Sequence, residues 1–229
     1  MPRTQLEVCV ETVEDAIAAE AGGADRLELC ADLSVGGLTP PYQLYIAVRE
    51  AVRIPVVVMV RPRPGDFVYT REERYRMTVA LDHFRQYWPA DGIVFGTLTP
   101  EGRIDGESAA WLVQTCGSVP AVFHRAFDEV EDKVAGLEEL IRLGFTRVLT
   151  SGGVGEVPDH LPTLKALVAQ ANGRIQVMPG GGVRSDTAGR VVQFTRCEHL
   201  HGSFSEAHGR GRRTSRAAVD AARAAVDAV

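Results

Sequence analysis

The strongest constraint on this chain is an alternation, carried through nearly its whole length, of short apolar runs with longer amphipathic segments. The runs fall at 5–11, 25–30, 54–61, 91–96, 120–127, 146–151, 174–179 and 197–203. Several are apolar at successive positions, as parallel strands covered on both faces must be. Helix signals fill the gaps between them. Thr12 can cap a segment that stops at Gly22-Gly23, and Pro40-Pro41 suits the first turn of the next. Thr70 with Glu73 makes a capping-box pattern ahead of a helix that Pro89 closes. Asp105 or Gly106, the stretch Asp128 to Asp132, Pro158 and Ser185-Asp186 open four more. A final helix over about 214–228 carries Val219 and Val226 seven apart, one apolar stripe.

Eight βα units of even spacing, with no glycine-rich dinucleotide fingerprint after the first strand, predict an α/β fold of the closed (βα)₈ TIM-barrel type. At 229 residues a single domain covers 1–229, since no linker or low-complexity run divides the chain. A faint echo supports repeated units: Gly23-Ala24-Asp25-Arg26 and Gly144-Phe145-Thr146-Arg147 both place an arginine at the entry to a strand.

A net charge of −5 without a basic stripe argues against nucleic acid as a partner. No stretch approaches the roughly 20 apolar residues needed to cross a bilayer. The N-terminus lacks a signal peptide's apolar region, and four scattered cysteines do not form a disulfide framework, so a cytoplasmic location is expected.

Barrel interiors are normally aliphatic, and their sites lie where strands end. Here the strand ends are polar: Glu7 and Glu11, Glu28 and Asp32, Arg61 and Arg63, His124, Arg125 and Asp128, Thr150 and Ser151, then His199, His201 and Ser203. A carboxylate inside such a strand costs several kcal/mol unless it is paired. Arg61, Arg125 and the histidines are the expected partners of Glu7 and Glu28. The set is either a structural ionic layer or a site in which Glu7, Glu28, His124, Arg125 and Asp128 carry acid–base chemistry. Of His199 and His201, alternation is expected to turn only His201 to the pocket. Glycine-rich turns follow the last three strands and can offer N–H groups to an anion. Arg61, Ser151, Gly152, Gly180, Gly181, His201, Gly202 and Ser203 are the anion-binding candidates. Arg63 sits with Arg61 in a loop stiffened by Pro62 and Pro64. No lysine lies on any expected strand, which counts against Schiff-base chemistry.

Metal signals are sparser, with no HExxH or CxxC spacing. Cys9 and Cys30 hold equivalent places in Glu7-Val8-Cys9 and Glu28-Leu29-Cys30 on neighbouring strands. They are either core filler or, facing the same side, soft ligands for Cu(I), with Met59 or Met178 as conceivable additions. Cys116 and Cys197 read as packing residues.

The blocks LEVCVE, RLELCADL, VRPRPGDFVY, GIVFGTLTPEGRID, FHRAFD, RVLTSGG, MPGGGV and HLHGS, in that order over about 1–205, resemble the CutC family. The resemblance implies a cytoplasmic (βα)₈ barrel, usually a homo-oligomer, with a role in copper homeostasis and copper ligands at Cys9 and Cys30. Pro64 departs from it, standing where the family's RPRGGDF loop has glycine. Three functions stay open on the residues: Cu(I) handling, an enzyme acting on a small phosphorylated or carboxylated metabolite, and a non-catalytic binding barrel.

Overall fold

The computed structural model describes residues 3–209 and 211–229. Eight parallel strands, β1 (Gln5–Val10), β2 (Arg26–Leu29), β3 (Val56–Met59), β4 (Gly92–Phe95), β5 (Ala121–Phe123), β6 (Arg147–Thr150), β7 (Gln176–Pro179) and β8 (His199–Gly202), pair in sequence order, with β8 returning to β1. A bridge between Gly180 and His201 joins β7 to β8 and brings the barrel to closure. Outside it lie α1 (Val13–Ala21), α2 (Tyr42–Ala51), α3 (Arg71–Gln86), α4 (Gly106–Cys116), α5 (Lys133–Leu143), α6 (Leu161–Ala171), α7 (Ser185–Thr195) and α8 (Arg216–Asp227).

The caps are those the sequence offers. Thr12 accepts from Asp15 N–H, Thr70 and Glu73 cap each other, Asp105 caps α4 and Asp132 caps α5. Two boundaries differ. The run at 120–127 yields a strand of only three residues, because the His124 ring accepts the N–H of Ala126 and starts a 3₁₀ turn over Arg125–Glu129. Pro158 sits in a separate 3₁₀ turn, and α6 begins at Leu161. From Ser205, where the sequence signals no element before the last helix, the chain forms a hairpin of β9 (Ser205–His208) and β10 (Gly211–Thr214).

Alternation along the strands sorts the side chains. Leu6, Val8, Val10, Leu27, Leu29, Val56, Val58 and Phe95 face the helices in the main core, where Cys116 and Cys197 also pack. The opposite set points into the barrel. There Val57, Met59, Val94 and Val122 make an aliphatic cluster with Cys30 on one side, while β1, β2, β6 and β8 present charged residues on the other.

Helix α8 closes the outer ring through the stripe Val219, Ala222 and Val226. Arg223 anchors it, donating to the Thr4 carbonyl and to Asp25, both at 2.9 Å. Its contact with α7 is close enough that a Cβ on Gly189 would lie 2.6 Å from the Ala225 carbonyl oxygen. Backbone cannot yield as a flexible side chain does. Gly189→Ala is therefore expected to destabilise the protein by about 1–3 kcal/mol in chemical denaturation; unchanged stability would contradict this packing.

Candidate functional site

Strand register builds the site. Glu7 on β1 stands beside Arg26 of β2 and His201 of β8, and Cys9 stands beside Glu28. All five turn inward. Glu7 is fully buried, forms an ion pair with Arg26, accepts from His201 Nδ1 at 2.9 Å and lies 3.9 Å from Arg147. Burial opposes the charge on Glu7, but Arg26, His201 and Arg147 outweigh it and hold the carboxyl well below its ordinary range. These partners correct the expectation that Arg61 and Arg125 would neutralise the interior carboxylates. Both arginines sit at the rim instead, Arg61 donating to the Val35, Gly37 and Gly65 carbonyls and Arg125 pairing with Asp128.

One step nearer the mouth, His201 Nε2 lies 3.7 Å from Glu28, and the Cys30 thiol donates weakly to the same carboxylate at 3.8 Å. Burial, with the charge of Glu7 adding and His201 opposing, pushes Glu28 up to about 7. Burial also drives the Cys30 thiol well above its usual value, and Glu28 reinforces this. For His201 burial works against protonation, yet Cys9, Glu28 and Glu7 together keep it raised. Ligand atoms of Cys9, Glu28 and His201 all lie within 4.8 Å of one another, and all three residues are buried. Cys30 stands outside that group for a geometric reason. The stagger between β1 and β2 pairs Cys9 with Glu28, so equivalent places in the sequence are offset by two residues in space.

His199 also turns inward, since residues two apart on a strand share a face. It lies deeper, 3.5 Å from Arg26, and burial, aided by Arg147 and Arg26, lowers it to about 4. Of these two histidines, only His201 reaches the cavity.

Above this cluster the strand ends enclose a cavity of about 900 Å³. Cys9, Glu28, Met59, Arg61, His124, Arg125, Asp128, Gly181, His201, Gly202 and Ser203 line it, together with Ser205, Arg212 and Thr214 of the hairpin. Asp128 is saturated: it accepts from Thr150, from the Ser151 N–H and hydroxyl, and from Arg125. Arg125 also donates to Ser151 and to the Gly155 carbonyl. Of the glycine turns, Gly152 N–H is taken by Thr150 Oγ1 and Gly180 N–H by the Thr150 carbonyl. Ser151, Gly152 and Gly180 thus brace the end of β6, and none of them lines the cavity. At Gly181 (φ +110°) a Cβ would meet the Arg125 guanidinium at 2.8 Å. Arg63 clamps its loop to Glu73 and Asp66.

His124 sits at the cavity wall with Nδ1 accepting from Ala126. Burial, with Arg61 adding, lowers it to about 3, so the ring is neutral and Nε2 carries the proton. Sequence reasoning missed Arg26, Arg147 and Gly96, where a Cβ would strike the His124 ring at 2.7 Å. The repeated arginine at the strand entries was the available signal for the first two.

Removing the buried carboxylate leaves two arginines facing each other. Glu7→Gln is expected to cost about 3–5 kcal/mol at neutral pH. Because folding depresses this carboxyl, its stabilising effect is complete above the ordinary value of 4.5 and is lost as pH falls below it. Denaturation of both proteins as a function of pH checks this; a gap of the same size at pH 2 and pH 7 would refute the ionic account.

The CutC family model matches residues 4–206. The copper homeostasis protein cutC homolog of Homo sapiens is 47% identical over 196 residues, 86% of this chain and 71% of that protein. A CutC protein of Rhizobium meliloti (strain 1021) is 39% identical over 242 residues, covering 100% of this chain and 98% of its own. The crystal structure of CutC from Streptococcus agalactiae superposes with a TM-score of 0.83 at 35% identity, over 87% of this chain and 98% of that one. Thiamine phosphate pyrophosphorylase from Pyrococcus furiosus, at 16% identity and a TM-score of 0.66 over 98% of this chain and 96% of its own, shares the barrel fold. With its sequence matched through all eight barrel strands and its barrel matched by a solved relative, this chain belongs to the CutC family of copper homeostasis proteins.

Proposed function

We propose that this protein handles copper by binding one Cu(I) ion as cargo inside the barrel mouth, at Cys9 and His201 with Glu28 beside them. The observation that carries this reading is the convergence of a thiol, an imidazole and a carboxylate within 4.8 Å at the floor of an open cavity. The donors fit the ion. Thiolate and imidazole both suit Cu(I), and a buried site excludes the water that favours harder ions. Glu7 supports the imidazole from behind. By accepting the Nδ1 proton it directs the Nε2 lone pair toward Cys9 once the second proton leaves, the carboxylate–histidine arrangement common behind metals. Glu28 Oε1 has no partner among the described residues.

Cys30 is the weaker candidate of the two cysteines. Its proton is held tightly beside a carboxylate, and a metal must displace it before a thiolate forms. Met59 also lines the cavity and offers a thioether. All four cysteines are free and buried, a state suited to a reducing compartment such as the cytosol. No described helix is long and apolar enough to cross a membrane.

The rim offers less support for acid–base catalysis. Glu7 lies beneath the cavity, every oxygen of Asp128 is occupied, and burial weakens His124 as a base while its Nδ1 already accepts from Ala126. Of the expected carboxylates and histidine, Glu28 alone keeps a free acceptor at the cavity wall, and the copper site uses it.

Competition titration of the reduced protein against a Cu(I) chelator is the test. One ion per chain is expected, bound far more tightly than Zn(II). Cys9→Ser and His201→Ala should each weaken binding by at least about 100-fold, and Glu7→Gln by about 10–100-fold. Cys30→Ser should stay within about tenfold of the parent. Binding that is indifferent to both Cys9→Ser and His201→Ala removes the interior site.

A further inference from the structure

The copper donors lie where only a slim molecule reaches them. Cys9 is 9% exposed, His201 7% and Glu28 3%, and all three line the cavity of about 900 Å³. Beneath them the barrel is occupied: Glu7 pairs with Arg26, lies 3.9 Å from Arg147 and accepts from His201. An ion therefore comes and goes through the cavity. That space is far larger than one ion needs, and it has the size of a pocket for a small organic molecule. Exposed members of the lining, Val35, Gly65, Val154 and Arg212, set its rim, so a cysteine on the surface of a carrier protein meets the rim before the donors.

The protein's own supply of sulfur is short. Cys9 is the one cysteine among the described lining residues. Cys30 is fully buried in the aliphatic cluster, and Cys116 and Cys197 pack in the main core outside the barrel. Cu(I) favours soft sulfur donors, and Cys9 with His201 gives it a single thiolate. The open side of the donor group faces the cavity.

We propose that the cavity admits a small-molecule thiol, and that Cu(I) enters and leaves by exchange between this thiol and Cys9, through a complex in which the ion holds both sulfurs. The proposal rests on the interior copper site and names its exchange partner. On entry, a bond from Cu(I) to one carrier thiolate breaks and a bond to the Cys9 sulfur forms. The proton leaving Cys9 passes to the departing thiolate, while His201 and a retained thiol complete the set. Copper stays Cu(I) throughout, so no oxidant or reductant takes part. Release is the same sequence reversed.

The test uses reduced protein carrying one Cu(I) and freed of small thiols. Glutathione is the probe, and S-methylglutathione, with the same body but no thiol, is its control. Native mass spectrometry is expected to show the copper-loaded chain gaining one glutathione, saturably, before the ion is stripped. Metal-free protein and S-methylglutathione should give no such adduct. Transfer of the ion to bathocuproine disulfonate should rise linearly with glutathione at low concentration and not respond to S-methylglutathione. No adduct on the copper-loaded chain, an equal adduct on metal-free protein or with S-methylglutathione, or a transfer rate indifferent to glutathione would each overturn the proposal. Cu(I) binding that still depends on Cys9 and His201, with no adduct, would refute the thiol partner alone; loss of that dependence would refute the interior site as well.

Discussion

A carboxylate buried at the centre of a protein dictates what surrounds it. Glu7 has essentially no solvent contact, and leaving its charge unmatched would cost several kcal/mol. Arg26 from β2 and Arg147 from β6, strands on opposite sides of the barrel, both reach it. The ion cluster therefore ties the barrel across its diameter, where most barrels use branched aliphatic side chains. Burial lowers Arg147 to about 10, yet this remains high enough to keep it charged at neutral pH. The aliphatic filling is confined to the side built from Val57, Met59, Val94 and Val122.

This asymmetry separates support from site. Below, the arginines neutralise Glu7, and Glu7 in turn fixes one face of His201. Above, the other face of His201 meets Cys9 and Glu28 at the cavity floor. A second carboxylate plays a comparable supporting part at the rim, where Asp128 draws Thr150, Ser151 and Arg125 together and shapes the end of β6. The residues left with unspent hydrogen-bonding capacity, Glu28, Arg61 and His124, all border the open space between these two supports.

Much of the fold was legible in the sequence, because apolar runs, caps and turn glycines are local signals. All eight strands and eight helices lie close to where the pattern puts them, and the caps at Thr12, Thr70, Asp105 and Asp132 are the residues that their chemistry suggests. The hairpin at 205–214 left no signal, since its strands are short, polar and exposed. The site was legible as a list of residues but not as a set of partners. Arg26 and Arg147 were visible as a repeated arginine at two strand entries, yet only barrel closure shows that both reach Glu7. Cys9 and Cys30 look equivalent in sequence, but the strand stagger decides that Glu28, not Cys30, stands beside Cys9. Register and closure are long-range properties, and the glycine turns show the same limit. Their positions were evident, while the internal acceptors that occupy Gly152 and Gly180 were not.

The account rests on Glu7 presenting His201 to the same ion as Cys9. X-ray absorption at the copper edge of the reduced, Cu(I)-loaded protein examines that directly. It should show imidazole scattering together with a single thiolate sulfur, and the imidazole signal should vanish in His201→Ala. Two thiolate sulfurs with no imidazole would place the ion on Cys9 and Cys30 instead, and would contradict the role assigned to the buried ionic network.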